Sequence, residues 1–164
     1  MTPKVEIISL GNELLIGKVL NTNAHWLSKR ATSLGIKVKR VTILPDDVNE
    51  TARAIRETLK RKPEFIVTTG GLGPTFDDKT LESIAKALNR KLEANKEAME
   101  MVKEKYQKYA RKKRSNNREL TQPLVKIATI PENSRPIRNP LGTAPAMQRN
   151  LEDTVLIALP GVSR

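Results

Sequence analysis

Cysteine is absent from the chain and histidine occurs once, as His25. Neither a disulfide framework nor a thiolate metal site is open to it, and a histidine-rich zinc site is excluded. Any metal must be held by oxygen ligands, which points to magnesium or a similar hard ion. Aromatic side chains are nearly as scarce: Trp26, Phe65, Phe76, Tyr106 and Tyr109 are all there are. So few rings, so scattered, make no base-stacking platform. No apolar run approaches the roughly 18 residues of a membrane-spanning helix, and the N-terminus has no signal-peptide core. A soluble, cytoplasmic protein without membrane association is expected.

What is present is charge and rhythm. The 164 residues carry a net charge of +12 at neutral pH, which favours polyanionic partners in general. Much of the excess lies between Lys103 and Arg118, including the run Arg111-Lys112-Lys113-Arg114. Cations at the end of a helix suit its dipole, and such a run reads as a solvated face. A specific nucleic-acid partner is not expected. The length suffices for one domain with its own core.

The chain is organised around Thr68-Thr69-Gly70-Gly71-Leu72-Gly73-Pro74-Thr75-Phe76-Asp77-Asp78-Lys79-Thr80. An apolar run, Phe65-Ile66-Val67, opens a third strand, Phe65 to Thr69, that feeds three glycines, two adjacent carboxylates and then a helical pattern. Glycines bring backbone N–H groups close to a ligand, and a helix N-terminus beyond them seats phosphate. Carboxylates would repel a bare phosphate, so they imply a bridging divalent cation or a water to be activated. Locally the stretch also reads as a tight β–α turn, with Asp77 or Asp78 capping the next helix.

Val5 to Leu10 is a short strand ending at Gly11, followed by a loop that carries Glu13. Asn21-Thr22-Asn23 opens a helix marked by Ala24, Leu27, Ala31 and Leu34, with Gly35 as its stop. His25 reads as a surface or capping residue. Val38 to Leu44 is a second strand, and Asp47 with Glu50 fits a capping box for a helix faced by Val48, Ala52, Ile55 and Leu59. Asp46 is not needed as that cap and lies at a strand's carboxyl end, where open α/β sheets bind ligands. Leu81, Ile84, Ala85 and Leu88 face the helix after the glycine loop. Strand–helix alternation at this rhythm implies βαβ crossovers and a parallel sheet covered on both faces. Glu13, Asp46 and Asp77-Asp78 then stand at neighbouring strand ends.

The second half predicts a long helix from Asn95, with Met99, Val102, Tyr106 and Tyr109 on one face. Asn116 to Ala128 predicts a shorter helix into which Pro123 intrudes. The loop Asn139-Pro140-Leu141-Gly142-Thr143-Ala144-Pro145 could bring Gly142 and Thr143 to a ligand. Ala146 to Arg149 and Thr154 to Leu159 predict a hairpin, turning at Asn150 to Asp153.

These motifs resemble, in order along nearly the whole chain, the N-terminal domain of the competence/damage-inducible protein CinA family. The matching residues are Ile7 to Gly17, Asn21-Thr22-Asn23, Gly70 to Asp78, Asn139 to Pro145 and Leu159-Pro160-Gly161-Val162. That family sits in the molybdopterin-binding, MoaB/Mog-like superfamily. The resemblance implies a three-layer α/β/α fold with a mostly parallel sheet and a pocket for a phosphorylated pterin or adenine nucleotide. It also implies a homo-oligomer, dimer or trimer. By motif position Asp46 and Asp78 correspond to two aspartates that serve magnesium-dependent adenylyl transfer to molybdopterin in Mog-type enzymes.

CinA-type domains are linked instead to metal-dependent hydrolysis of ADP-ribose and similar dinucleotides. On that pattern Gly70, Gly71, Gly73 and Thr75 would cradle a diphosphate. Asp46 and Asp78 would hold magnesium, and Asp77 or Glu13 would orient the attacking water. Adenylyl transfer and a non-catalytic nucleotide- or pterin-binding role are the alternatives. Relatives commonly continue past the final motif, and no deamidase domain is present, so nicotinamide-nucleotide deamidation is not expected of these residues. Ala146 and Phe76 depart from the family pattern, which bears on substrate fit rather than on the fold.

Overall fold

A computed structural model describes residues 1–114 and 120–161. The elements run β1 (Lys4–Leu10), α1 (Asn12–Leu15), α2 (Thr22–Ser33), β2 (Lys37–Leu44), α3 (Val48–Lys60), β3 (Phe65–Thr69) and α4 (Thr80–Leu88). They continue as β4 (Leu92–Ala94), α5 (Lys96–Lys112), α6 (Gln122–Ile127), β5 (Thr129–Pro131), β6 (Arg135–Ile137), β7 (Ala146–Asn150) and β8 (Val155–Leu159).

Six strands form the main sheet in the order β2-β1-β3-β8-β7-β6, while β4 and β5 pair separately. β1 pairs in parallel with β2 and β3, and β3 in parallel with β8. Only β7 runs against its neighbours. The sheet is therefore mainly parallel, as the strand–helix alternation predicted, and the closing hairpin is β7–β8.

Alternation along the strands assigns the two faces. Ile8, Leu10 and Ile66 pack with Ile55 of α3 and Ile84 of α4, together with Leu156 and Met147. Val5 and Ile7 pack on the other face with Ala24, Leu27 and Ala31 of α2. Helices on both faces of one sheet make the three-layer α/β/α arrangement.

Asp47 accepts from the Glu50 N–H at 2.7 Å, the cap its sequence context predicted. Asn95 caps α5 in the same way, through the Ala98 N–H at 2.9 Å. α5 and α6 form a satellite cluster of Ala98, Val102, Ile127 and Ala128. Arg138 and Lys108 both donate to Glu104, at 2.7 and 3.0 Å. These contacts tie α5 to the segment after β6 and hold the Glu104 carboxyl down to about 2.

Three expectations need correcting. The buried face of α5 is Ala98, Val102 and Ala110, while Tyr109 is exposed with the Lys113 ammonium over its ring. Of the predicted segment Asn116 to Ala128, residues 116–119 lie outside the described ones, and the described part is helical over α6. Pro123 does not intrude there, since it sits in the first turn, where no N–H is required. Leu34 lies off the packed face of α2 and is exposed.

One charged contact inside the sheet's cover carries weight. Glu6 on β1 is 4% exposed. It accepts a two-pronged bond from Arg61, from Nε at 2.8 Å and Nη2 at 2.7 Å. Nη2 also reaches the Thr58 hydroxyl at 3.0 Å. Removing Arg61 leaves the buried Glu6 charge poorly compensated, with only Arg40 Nε 4.0 Å away. Arg61→Ala is expected to cost about 3 kcal/mol in a urea unfolding curve. Arg61→Lys should recover only part, because an ammonium cannot make both prongs.

Candidate functional site

Parallel register brings the carboxyl ends of β2, β1 and β3 side by side, and the loops that leave them line one cleft of about 880 Å³. Its size lies within the range of ligand sites. Glu13, Asp46, Asp77, Asp78, Gly70, Gly71, Gly73, Gly142 and Thr143 all line it. Thr75 does not. Its N–H and hydroxyl are spent on Asp78 Oδ2, at 2.9 and 2.6 Å.

The glycine loop is built by close approach. Gly70 has φ +98, and a Cβ there would lie 2.5 Å from the Leu10 carbonyl oxygen. Gly71 has φ +71, and a Cβ would run into the Thr80 hydroxyl. That hydroxyl donates to the Gly70 carbonyl at 2.8 Å, and the Thr80 N–H donates to the Gly71 carbonyl at 3.2 Å. Thr80, the first residue of α4, thus pins the loop from behind.

The Gly70 N–H donates to Leu159 of β8 at 3.1 Å, so Gly70 supplies the turn rather than a donor for a ligand. Among the described residues the N–H groups of Gly71, Leu72 and Gly73 meet no protein acceptor. Three adjacent amides without a partner have the chemistry of an anion-attracting nest.

Asp78 does not cap α4, whose first turn has no side-chain cap. Its carboxylate folds back onto Thr75 and braces the far side of the loop, where the Lys126 ammonium also donates to the Thr75 carbonyl. Lys126 had no local signal in the sequence. Phe76 is 82% exposed, with the Lys79 ammonium 4.5 Å above its ring, and lies off the cleft.

Asp46 is held by a reciprocal pair. Its N–H donates to Asn12 Oδ1 at 3.1 Å, and its Oδ2 accepts from the Asn12 N–H at 3.2 Å. The Gly11 N–H donates to the Leu44 carbonyl at 3.1 Å beside it. Asn12 lies within the Ile7 to Gly17 motif, and its tie to Asp46 depends on strand pairing that spacing alone does not reveal. Burial pushes the Asp46 carboxyl above the ordinary aspartate range. The Asn12 N–H pulls it back, and Glu13, Asp77 and Asp78 push it up further. The four acids therefore share one field.

The α2 side of the cleft is equally bonded. Asn21 Oδ1 accepts from the Ser9 hydroxyl at 3.1 Å and from the Ala24 N–H at 3.3 Å. Asn23 Nδ2 donates to the Thr69 hydroxyl at 3.1 Å. Across the cleft, Asn139 Oδ1 accepts from the N–H groups of Leu141 and Gly142 at 3.0 and 3.1 Å, and Nδ2 donates to Ala144 at 2.9 Å. Gly142 thus lends shape, and Thr143 carries the open hydroxyl. His25 is exposed and takes no part.

A divalent ion fits this donor set in one form only. Among the described residues no three carboxylates or imidazoles converge on a point, so there is no preformed cage. Magnesium is commonly held by one or two carboxylates, waters and substrate phosphates. Asp46 and Asp78 line the same cleft as the amide nest and suit that open arrangement.

The family model described as a probable molybdopterin binding domain matches residues 6–164, and the chain belongs to that family. Within it the likeness is to CinA. The crystal structure of the protein CinA with unknown function from Thermoplasma acidophilum aligns with a TM-score of 0.86 at 38% identity, over 97% of this chain and 89% of that one. The tungsten cofactor synthesizing protein MoaB from Pyrococcus furiosus shares the fold, with a TM-score of 0.58 at 22% identity over 98% and 83% of the two chains. A protein of Metallosphaera sedula is 45% identical over 97% of this chain and 57% of its own length. One of Sulfurisphaera tokodaii is 44% identical over 97% and 58%. The chain thus spans a little under three fifths of these curated relatives.

A carboxyl raised above its unfolded value holds its proton more tightly in the native state. Its contribution to stability is then complete at low pH and lost as pH rises through the folded value. Asp46→Asn keeps an acceptor for the Asn12 N–H and removes the charge. In thermal melts it should unfold at or above the wild-type temperature at neutral pH. That margin should shrink as pH falls through the Asp46 titration. A variant less stable at neutral pH would contradict the electrostatic account.

Proposed function

We propose that the cleft binds a phosphorylated nucleotide or pterin, and that the domain is a divalent-metal-dependent pyrophosphatase acting on ADP-ribose-like dinucleotides. The observation that carries this is the meeting of an amide nest and four carboxylates at one mouth. The nest attracts a diphosphate, whereas the acids repel it unless a cation stands between them. A site built from both calls for a ligand that brings phosphate and recruits a hard ion.

On this reading the N–H groups of Gly71, Leu72 and Gly73 hold the diphosphate. Thr143 and Asn23 line the same cleft. Asp46 and Asp78 would hold the ion, directly or through water. When bound, the ion offsets the negative charge that builds on the phosphates. Asp77 or Glu13 orients a water for attack on one phosphorus. The P–O bond of the anhydride breaks, and ADP-ribose yields AMP and ribose 5-phosphate. Protons compete with the cation for Asp46, so activity should rise with pH through the titration of that group.

Self-association as a dimer or trimer belongs to the same reading on family likeness. The further part of the longer relatives has no counterpart in these residues, so their whole activity is not carried over.

Incubation with ADP-ribose and magnesium, manganese or cobalt should yield AMP. Asp46→Ala and Asp78→Ala should each lower the rate about a hundredfold or more, the scale of losing a transition-state charge partner. Activity unaffected by both substitutions would sink the assignment. Adenylylated product from ATP and molybdopterin, without hydrolysis of ADP-ribose, would replace it with adenylyl transfer. Metal-dependent nucleotide binding with no turnover would reduce it to a binding module.

A further inference from the structure

A second cavity of about 220 Å³ lies beside the glycine loop. It shares Gly71, Leu72, Gly73 and Asp78 with the larger cleft, so the loop is a partition with a cavity on each side. α6 completes the partition. Leu124 and Ile127 line the larger cleft, whereas Gln122, Val125 and Lys126 line the smaller. Those sets lie on different faces of a helix.

The smaller cavity is too small for a whole dinucleotide, and its chemistry differs from the cleft. Leu81 of α4, Leu92 of β4 and Val125 of α6 wall it from three elements. Polar groups remain at its border: Glu82, Gln122 and Thr129. Its cation, Lys126, is engaged with the Thr75 carbonyl. Two carboxylates, Asp78 and Glu82, face it. That balance disfavours a phosphate. It favours a flat uncharged ring with apolar faces and hydrogen-bonding edges.

We infer that this cavity receives the planar nitrogen heterocycle of the ligand whose phosphates lie on the glycine loop. The inference rests on the reading of the cleft given above and adds where the ring goes. A purine and a pterin share the required chemistry: apolar faces, a donor–acceptor edge and a tether to phosphate. The ligand then straddles the loop. Its diphosphate lies on the amides of Gly71, Leu72 and Gly73, and its ring lies between Leu81, Leu92 and Val125. Gln122, on the exposed rim, is the specificity-determining residue that reads the ring edge.

Titration calorimetry with magnesium present, using inorganic pyrophosphate, ADP-ribose and a pterin phosphate, tests this. Val125→Phe and Leu92→Phe fill the cavity from α6 and β4 independently, and thermal melts report whether each variant folds. Both variants should weaken the ring-bearing ligand about tenfold or more, the scale of displacing a ring from an apolar pocket, and leave pyrophosphate affinity unchanged. Gln122→Ala should weaken the same ligand several-fold. Sensitivity confined to ADP-ribose identifies the ring as a purine, and sensitivity confined to the pterin phosphate identifies it as a pterin.

Wild-type affinity for both ring-bearing ligands in the two folded filling variants would overturn the inference while leaving the cleft reading intact. Equal loss of pyrophosphate and ring-bearing ligand would also overturn it, since the substitutions would then act through the loop. If the wild type binds none of the three probes, the cleft reading falls and this inference with it.

Discussion

The parallel register of β2, β1 and β3 is the constraint on which the rest of this molecule depends. It sets three chain exits side by side, so Asp46, Glu13 and the glycine loop arrive at one mouth from three separate stretches of sequence. A slip of one residue would turn the buried faces outward. The β1–β2 pairing shifts register once, between Val5 and Glu6, and beyond that point the packing of Ile8, Leu10 and Ile66 on one side and of Ile7 on the other holds it. Asn12 and Asp46 then lock the first two exits with two hydrogen bonds, and Leu159 locks the third through the Gly70 N–H. The core and the site are consequences of the same alignment.

The electrostatics oppose the composition. A chain of net charge +12 gathers four carboxylates around its main cleft. Burial first, and then the other three acids, raise the proton affinity of Asp46 against the pull of a backbone amide. A fold that holds such mutual repulsion in place is less stable than it would be without it, and functional sites are where that cost is tolerated. The amide nest adds positive potential a few residues away. Together they make a cleft that is poorly matched to a bare anion and well matched to an anion with its cation.

Much of this was legible in the sequence because each early element carries its own punctuation. The apolar runs Val5 to Leu10 and Phe65 to Thr69, the Asp47–Glu50 cap and the Gly35 stop are local signals, and tertiary packing agrees with them. The separation of Asp46 from Asp47 was legible for the same reason: one acid caps a helix and its neighbour is left to the cleft. Three short strands were not. β4 is exposed throughout, and β5 and β6 each contain a proline within three residues. They are strands only because a partner lies beside them. Tyr109 misled because apolar spacing continues the packed face of Met99 and Val102 onto a position that the fold leaves in solvent. Which glycine amides stay open depends on where β8 arrives, and spacing within the loop carries no trace of it. The role of Lys126 is hidden for the same reason.

The central claim is that amides and acids at these strand ends act on one ligand through one ion. A crystal structure with ADP-ribose and manganese bound tests it most directly, since anomalous scattering locates the ion independently. The account predicts the diphosphate on the N–H groups of Gly71, Leu72 and Gly73, with manganese between it and the carboxylates of Asp46 and Asp78. Phosphates seated on another surface, or manganese away from both aspartates, would contradict it.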